Sequence, residues 1–161
     1  MENYELIYIE PKNPEIKQIR ELIKKQGNQV CQNKIYIETI SENVSNFKFG
    51  WISVLQKAQL GRRSIKSIND KFTLLSFILC HYTEHKPEYL KIELDCASNK
   101  SGKMLMGIAE DKARQMNIKG IEIYALPHSI KWYNSLGYIY IETIYLNNNV
   151  TPKIYTMFKK L

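Results

Sequence analysis

Cysteine is scarce in this chain. Cys31, Cys80 and Cys96 are far apart, and no Cys-x-x-Cys or Cys/His ligand spacing accompanies them, so no zinc site is expected. Cys80 and Cys96 sit inside apolar, strand-like patterns and read as small buried hydrophobes. No apolar run approaches the roughly 20 residues that a membrane-spanning helix needs. The first residues, Met1-Glu2-Asn3-Tyr4-Glu5, show no basic segment followed by an apolar one, so no secretory signal is expected and the default location is cytoplasmic, or nuclear by diffusion. Internal repeats, low-complexity tracts and interdomain linkers are also missing. A chain of 161 residues with this make-up is expected to form a single domain over 1–161, with a core of its own.

Charge of one sign is in excess. The formal net charge is +7, which favours anionic partners: nucleic acid, acidic peptides or phosphorylated carriers. The lysines are spread along the chain, and the compact cluster Arg62, Arg63 and Lys66 reads as a solvated edge. With no nucleic-acid reader motif beside the charge, nucleic acid is a weakly supported partner.

Tyr4 to Glu10 alternates as a strand. Asn13-Pro14-Glu15 supplies a cap, a proline at the first helical position and an acid in the first turn of a helix that should stop near Gly27. Lys34 to Ile40 alternates again. Ser41, Val44, Phe47, Trp51, Ile52 and Leu55 suit a helix interrupted by Gly50, and Leu60 to Lys71 reads as a loop. Phe72 to Tyr82 and Tyr89 to Ala97 are β-rich runs separated by turn chemistry, as in a hairpin. From Ser101 the period changes: Leu105, Ile108, Ala109, Lys112, Ala113 and Met116 form a helical stripe, ended by Asn117 to Gly120. A strand at Gly120–Ala125, a short helix at Pro127–Leu136, and strands at Tyr138–Leu146 and Lys153–Lys159 complete a mixed α/β order with a βαβ unit at its centre.

The junction after Ala97 carries the chemistry. Ala97-Ser98-Asn99-Lys100-Ser101-Gly102-Lys103 joins a strand to a helix through small and polar residues, the setting in which free backbone N–H groups and the helix dipole hold phosphate. A triphosphate P-loop would require glycine at 97 and Ser or Thr at 104. The chain has Ala97 and Met104, so that reading fails despite Gly102-Lys103. Downstream, Ser129-Ile130-Lys131-Trp132-Tyr133-Asn134-Ser135-Leu136-Gly137-Tyr138 places a phenol on a short helix just before a glycine-marked return to strand.

Residues 72–145 resemble the GNAT superfamily of acyl-CoA-dependent N-acyltransferases. That family follows a strand with a Gln/Arg-x-x-Gly-x-Gly/Ala turn, and later carries Ala-x-x-hydrophobic-Tyr-x-x-x-Gly-Phe/Tyr. Gly102 falls on the last position of the turn and Leu105 on the leucine that follows, while Ala97 and Lys100 replace its other two marks. Tyr133, Gly137 and Tyr138 match the second motif, with Ser129 in place of its alanine.

The resemblance implies a GNAT-like mixed, mostly antiparallel sheet, splayed between the strands near Glu93 and Ile123, with helices on both faces. It implies an enzyme that moves an acetyl group from acetyl-CoA, without a metal, to a primary amine on a small molecule or peptide by direct attack in a ternary complex. The strand through Leu94, Cys96 and Ala97 would pair with the pantetheine arm. Ser98, Asn99, Lys100, Ser101, Gly102 and Lys103 would hold the pyrophosphate, with Ser129 close by, and Tyr133 would protonate the departing thiolate. For the general base, Glu93 and Asp95 are two apart on one strand and so share a face; Glu84, His81 and His128 are rivals. Phe47, Phe49 and Trp51 fall where the family lines its acceptor cleft, although their spacing equally fits core packing. The altered turn leaves a second reading open, an acyl-CoA-binding or regulatory module with little activity.

Overall fold

The computed structural model describes residues 4–30, 47–57, 74–97, 101–125, 127–145 and 153–161. The elements are β1 (Tyr4–Ile9), α1 (Ile16–Val30), β2 (Gly50–Lys57), β3 (Leu74–Thr83), β4 (Lys86–Ala97), α2 (Ser101–Gln115), β5 (Gly120–Ala125), a 3-10 turn (Pro127–Ser129), α3 (Ile130–Ser135), β6 (Ile139–Tyr145) and β7 (Lys153–Lys160). The expected strand at 34–40, the expected loop at 60–71, and Ser98, Asn99 and Lys100 lie outside the described residues.

Local chemistry explains the helix ends. The Asn13 side chain accepts from the Glu15 N–H at 2.9 Å and its carbonyl from the Ile16 N–H at 3.1 Å, so Asn13 opens a turn that leads into α1, while Pro14 and Glu15, expected inside the helix, precede its start at Ile16. At the other end of the central crossover, Asn117 takes a φ of 59°, a left-handed turn that asparagine tolerates and that stops α2. α1 runs past Gly27 to Val30.

The strands form one sheet in the order β1-β2-β3-β4-β5-β7-β6. β4 and β5 are parallel, and the other five neighbouring pairs are antiparallel. α2 makes the crossover that a parallel pair requires. Alternation divides the buried residues between two faces. Ile78 and Cys80 of β3 join Leu90, Ile92, Ile121, Ile123 and Met157 in a core with Leu105, Met106, Ala109 and Ala113 of α2. Phe77 and Leu79 point to the other side, where Ile19, Leu22 and Ile23 of α1 are buried. Helices therefore flank both faces of a mixed, mostly antiparallel sheet.

One expectation is overturned. Residues 50–57 form a strand, not the second half of a helix. Trp51 through Leu55 are all buried, because β2 is interior to the sheet and packed on both faces. A strand in that position is apolar almost throughout, and any such run contains helix-like spacings. Gly50 has a φ of +124°, and an added Cβ would lie 2.0 Å from the Cys80 carbonyl oxygen, so the chain needs glycine where β2 meets β3. Trp51 belongs to the core, whereas Phe49 is partly exposed and stacks on Tyr82 with ring centroids 5.6 Å apart.

Candidate active site

The parallel pairing of β4 with β5 runs from Tyr89↔Gly120 to Ile92↔Ile123. Both strands continue beyond it. β5 stays with β7 through Tyr124↔Thr156 and Ala125↔Tyr155, while β4 stays with β3 through Cys96↔Phe77 and Ala97↔Ser76. The sheet therefore parts next to Glu93 and Ile123, where the resemblance implied a splay. A register shift gives a local cause. Two steps on β3, Phe77 to Leu79, are matched by three on β4, Cys96 to Glu93. The extra residue is a β-bulge, which bends its strand and increases its twist. The side chains of Glu93 and Asp95, the expected bases, lie outside what the structure describes.

The opening lies at the carboxyl ends of a parallel pair, the position where open α/β sheets bind ligands. α2 begins there at Ser101, with Ser101 and Gly102 buried and Lys103 exposed. Four N–H groups at a helix start have no partner within the helix, and they make that end electropositive. On the β3 residue opposite Ala97, the Ser76 hydroxyl is buried and has no hydrogen-bond partner. An open strand edge, a helix N-terminus and an unsatisfied hydroxyl together suit an extended, amide-bearing ligand that ends in phosphate.

Tyr133 belongs to the segment that follows β5. β5 leads through the 3-10 turn into α3, which places Ser129 at the helix cap and buries Tyr133 to 6% exposure. The ring packs edge-on against Trp132 at 4.9 Å and against Tyr138 at 6.0 Å. Tyr133 shares the core with Leu105, Met106 and Ala125, so Tyr133 and α2 are parts of one packed unit. His128 lies in the 3-10 turn. Glu84 lies in the β3–β4 turn, at the opposite end of β4 from the splay, and at about 3.3 Å per residue it is more than ~20 Å along the strand from Glu93. That distance removes it from the candidate bases. His81 pairs with Lys91 on β4, short of the opening.

A buried polar group behind Tyr133 had no part in the sequence reading. Glu110 of α2, 8% exposed, accepts from the Tyr138 hydroxyl at 3.1 Å and from the Lys159 ammonium at 3.0 and 3.1 Å. Lys159 gives a further hydrogen bond to the Leu136 carbonyl at 2.8 Å. Burial first, and the Glu110 charge second, push the Tyr138 phenol well above its ordinary pKa, so it stays protonated and donates. Gly137 has a φ of +94°, and a Cβ there would lie 3.3 Å from Lys159 Cε, so the glycine of the motif serves both the turn and the lysine. The available signal was spacing: Met106, Glu110 and Ala113 recur four and three apart, which puts Glu110 on the buried side of α2.

Among the described residues no group of His, Cys, Asp and Glu could hold a metal ion, and no helix is long and apolar enough to cross a membrane. No protein-family model matches the sequence, and no curated protein matches it. Solved structures do match. ElaA from Escherichia coli is 13% identical, with 98% of this chain and 99% of that one covered and a TM-score of 0.65. An acyl-CoA N-acyltransferase from Pseudomonas aeruginosa is 14% identical over 98% and 99%, with a TM-score of 0.64. An IAA acetyltransferase from Bacillus cereus is 14% identical over 99% and 100%, with a TM-score of 0.59. Likeness at these identities is a likeness of fold, and with the splayed βαβ unit, the helix start and the buried tyrosine it leads to one conclusion: this chain has the GNAT fold of the acyl-CoA N-acyltransferases.

Proposed function

We propose that the protein transfers an acetyl group from acetyl-CoA to a primary amine, by direct attack with carrier and acceptor bound together. The observation that supports this most is the parting of β4 from β5 after Ile92 and Ile123, with α2 starting just after β4 and the helix of Tyr133 following β5. Residues Glu93 to Ala97 offer an edge of backbone N–H and C=O groups suited to the amides of a pantetheine arm. Ser101, Gly102 and Lys103 begin a helix suited to the pyrophosphate, and Ser98, Asn99 and Lys100 precede it in the sequence.

The amine nitrogen attacks the thioester carbonyl, a C–N bond forms and the C–S bond breaks. The amine gives up a proton to Glu93 or Asp95, directly or through water. Tyr133 gives its phenolic proton to the departing thiolate, and because the thiolate is a weak base a neutral phenol is acidic enough. Acceptors in this reading are small-molecule or peptide amines, which the net charge of +7 does not itself attract, so selectivity must reside in the cleft.

A thermal-shift comparison tests the carrier. Acetyl-CoA and CoA should raise the melting temperature, since a ligand that binds only the native state stabilises it, and ATP should not. Equal stabilisation by ATP, or none by CoA, refutes the reading. Stabilisation by CoA without turnover on any amine favours the binding-module alternative.

A further inference from the structure

We infer that Glu110 and Lys159 form a positioning pair for Tyr133: they clamp the turn that follows its helix to the helix that begins at the carrier site. The inference rests on the transferase reading, because it assigns Tyr133 a task that requires accurate placement.

α3 has six residues, too short to hold its shape by its own hydrogen bonds. Its N-cap, Ser129, makes no side-chain hydrogen bond to it, and its C-terminal end is closed by backbone bonds. The N–H groups of Leu136 and Tyr138 donate to the Tyr133 carbonyl at 3.0 and 3.1 Å, and that of Gly137 donates to the Asn134 carbonyl at 3.0 Å. Further along, the Leu136 carbonyl accepts from Lys159. An ammonium has three protons to give, and Lys159 places them on the Leu136 carbonyl and on the two oxygens of Glu110. Its charge is thus fully engaged inside the protein. Arg114 is a minor partner, 3.8 Å from Glu110 and 3.2 Å from exposed Asp111.

Glu110 acts on the same turn a second time. It holds the Tyr138 hydroxyl, and the Tyr138 ring is the wall against which Tyr133 packs. One carboxylate on α2 therefore fixes both the backbone after Tyr133 and the ring beside it. Glu110 lies two turns of helix from the buried Ser101–Gly102 start, so the carrier seat and the phenol are referred to one rigid element.

The test uses Glu110→Gln, which keeps the shape and removes the charge, with Lys159→Met as a second variant and melting temperature checked for both. Amide hydrogen exchange at Leu136 to Tyr138 should rise at least about ten-fold relative to the α2 amides. The acetyl-CoA dissociation constant should stay within roughly two-fold, while kcat falls by about ten- to a hundred-fold, as for a displaced catalytic group. In a Tyr133→Phe background the same variants should cost almost nothing further in kcat, because there is no longer a proton donor to misplace. Unchanged exchange at the turn, or an equal loss of kcat in the Tyr133→Phe background, overturns the inference. If the native protein transfers no acetyl group at all, the transferase reading has failed, and the exchange measurement alone decides whether the pair clamps the turn.

Discussion

At the scale of single residues, two neighbouring tyrosines have opposite duties. Tyr133 is the residue whose proton the proposed chemistry uses. Tyr133→Phe should lower kcat by about a hundred-fold, the lower part of the range for general acids, and leave acetyl-CoA affinity nearly unchanged. A full-rate variant would remove Tyr133 from the mechanism, and one that melts early would make its hydroxyl structural. Tyr138 keeps its proton. Its pKa is raised in the folded state, so its contribution to stability is complete below the unfolded value of about 10 and is lost as the pH climbs beyond it. Urea denaturation at pH 8 and at pH 11 should show a fall in stability that is smaller in Tyr138→Phe. An equal fall in both proteins would mean that other groups govern the alkaline limit. The Glu110–Lys159 pair sets a larger stake: Glu110→Ala removes two charged hydrogen bonds from a partly buried ammonium and should destabilise the fold by about 2 kcal/mol, measured by the same method.

At the scale of elements, the α2 start is where carrier affinity should reside. Lys103 and Lys160 are both exposed lysines, but only Lys103 is in the first turn of α2. Lys103→Glu should weaken acetyl-CoA binding by roughly ten-fold and Lys160→Glu by less than about two-fold, as read by calorimetry. Like behaviour of the two would make Lys103 an ordinary surface residue. The central β4-α2-β5 unit was legible in the sequence because its hydrophobic period changes from two to 3.6 and back, and because Asn117 and Gly120 mark the return. The splay near Glu93 and Ile123 was legible only through resemblance. Its local cause, the bulge in β4, leaves no glycine or proline as a sign, since Glu93-Leu94-Asp95-Cys96 reads as uninterrupted strand. β2 was misread for a related reason: burial on both faces erases the alternation that distinguishes strand from helix. The clamp behind Tyr133 was hidden by distance along the chain. Glu110 is 28 residues from Tyr138 and 49 from Lys159, and nothing local says that β7 will lie beside β5.

At the scale of the molecule, the sheet has two parts joined by four residue pairs at Tyr89–Ile92 and by the core beneath α2. Trp51 reports on the first part and Trp132 on the second. Because Ile78 and Cys80 share one apolar cluster with Ile121, Ile123 and Met157, the parts should unfold together. Single-tryptophan variants, Trp132→Phe and Trp51→Phe, should each give denaturation curves whose fluorescence and circular dichroism midpoints coincide. Separated midpoints would show that the seam divides the protein thermodynamically as well as geometrically. The strand order has a further consequence, in time rather than space. β7 is made after β5 and β6 and yet lies between them. On the ribosome, β5 and β6 must wait for the strand that joins them. Lys159 is translated after Tyr133, so the turn that follows α3 can be tied to α2 only once β7 has been made.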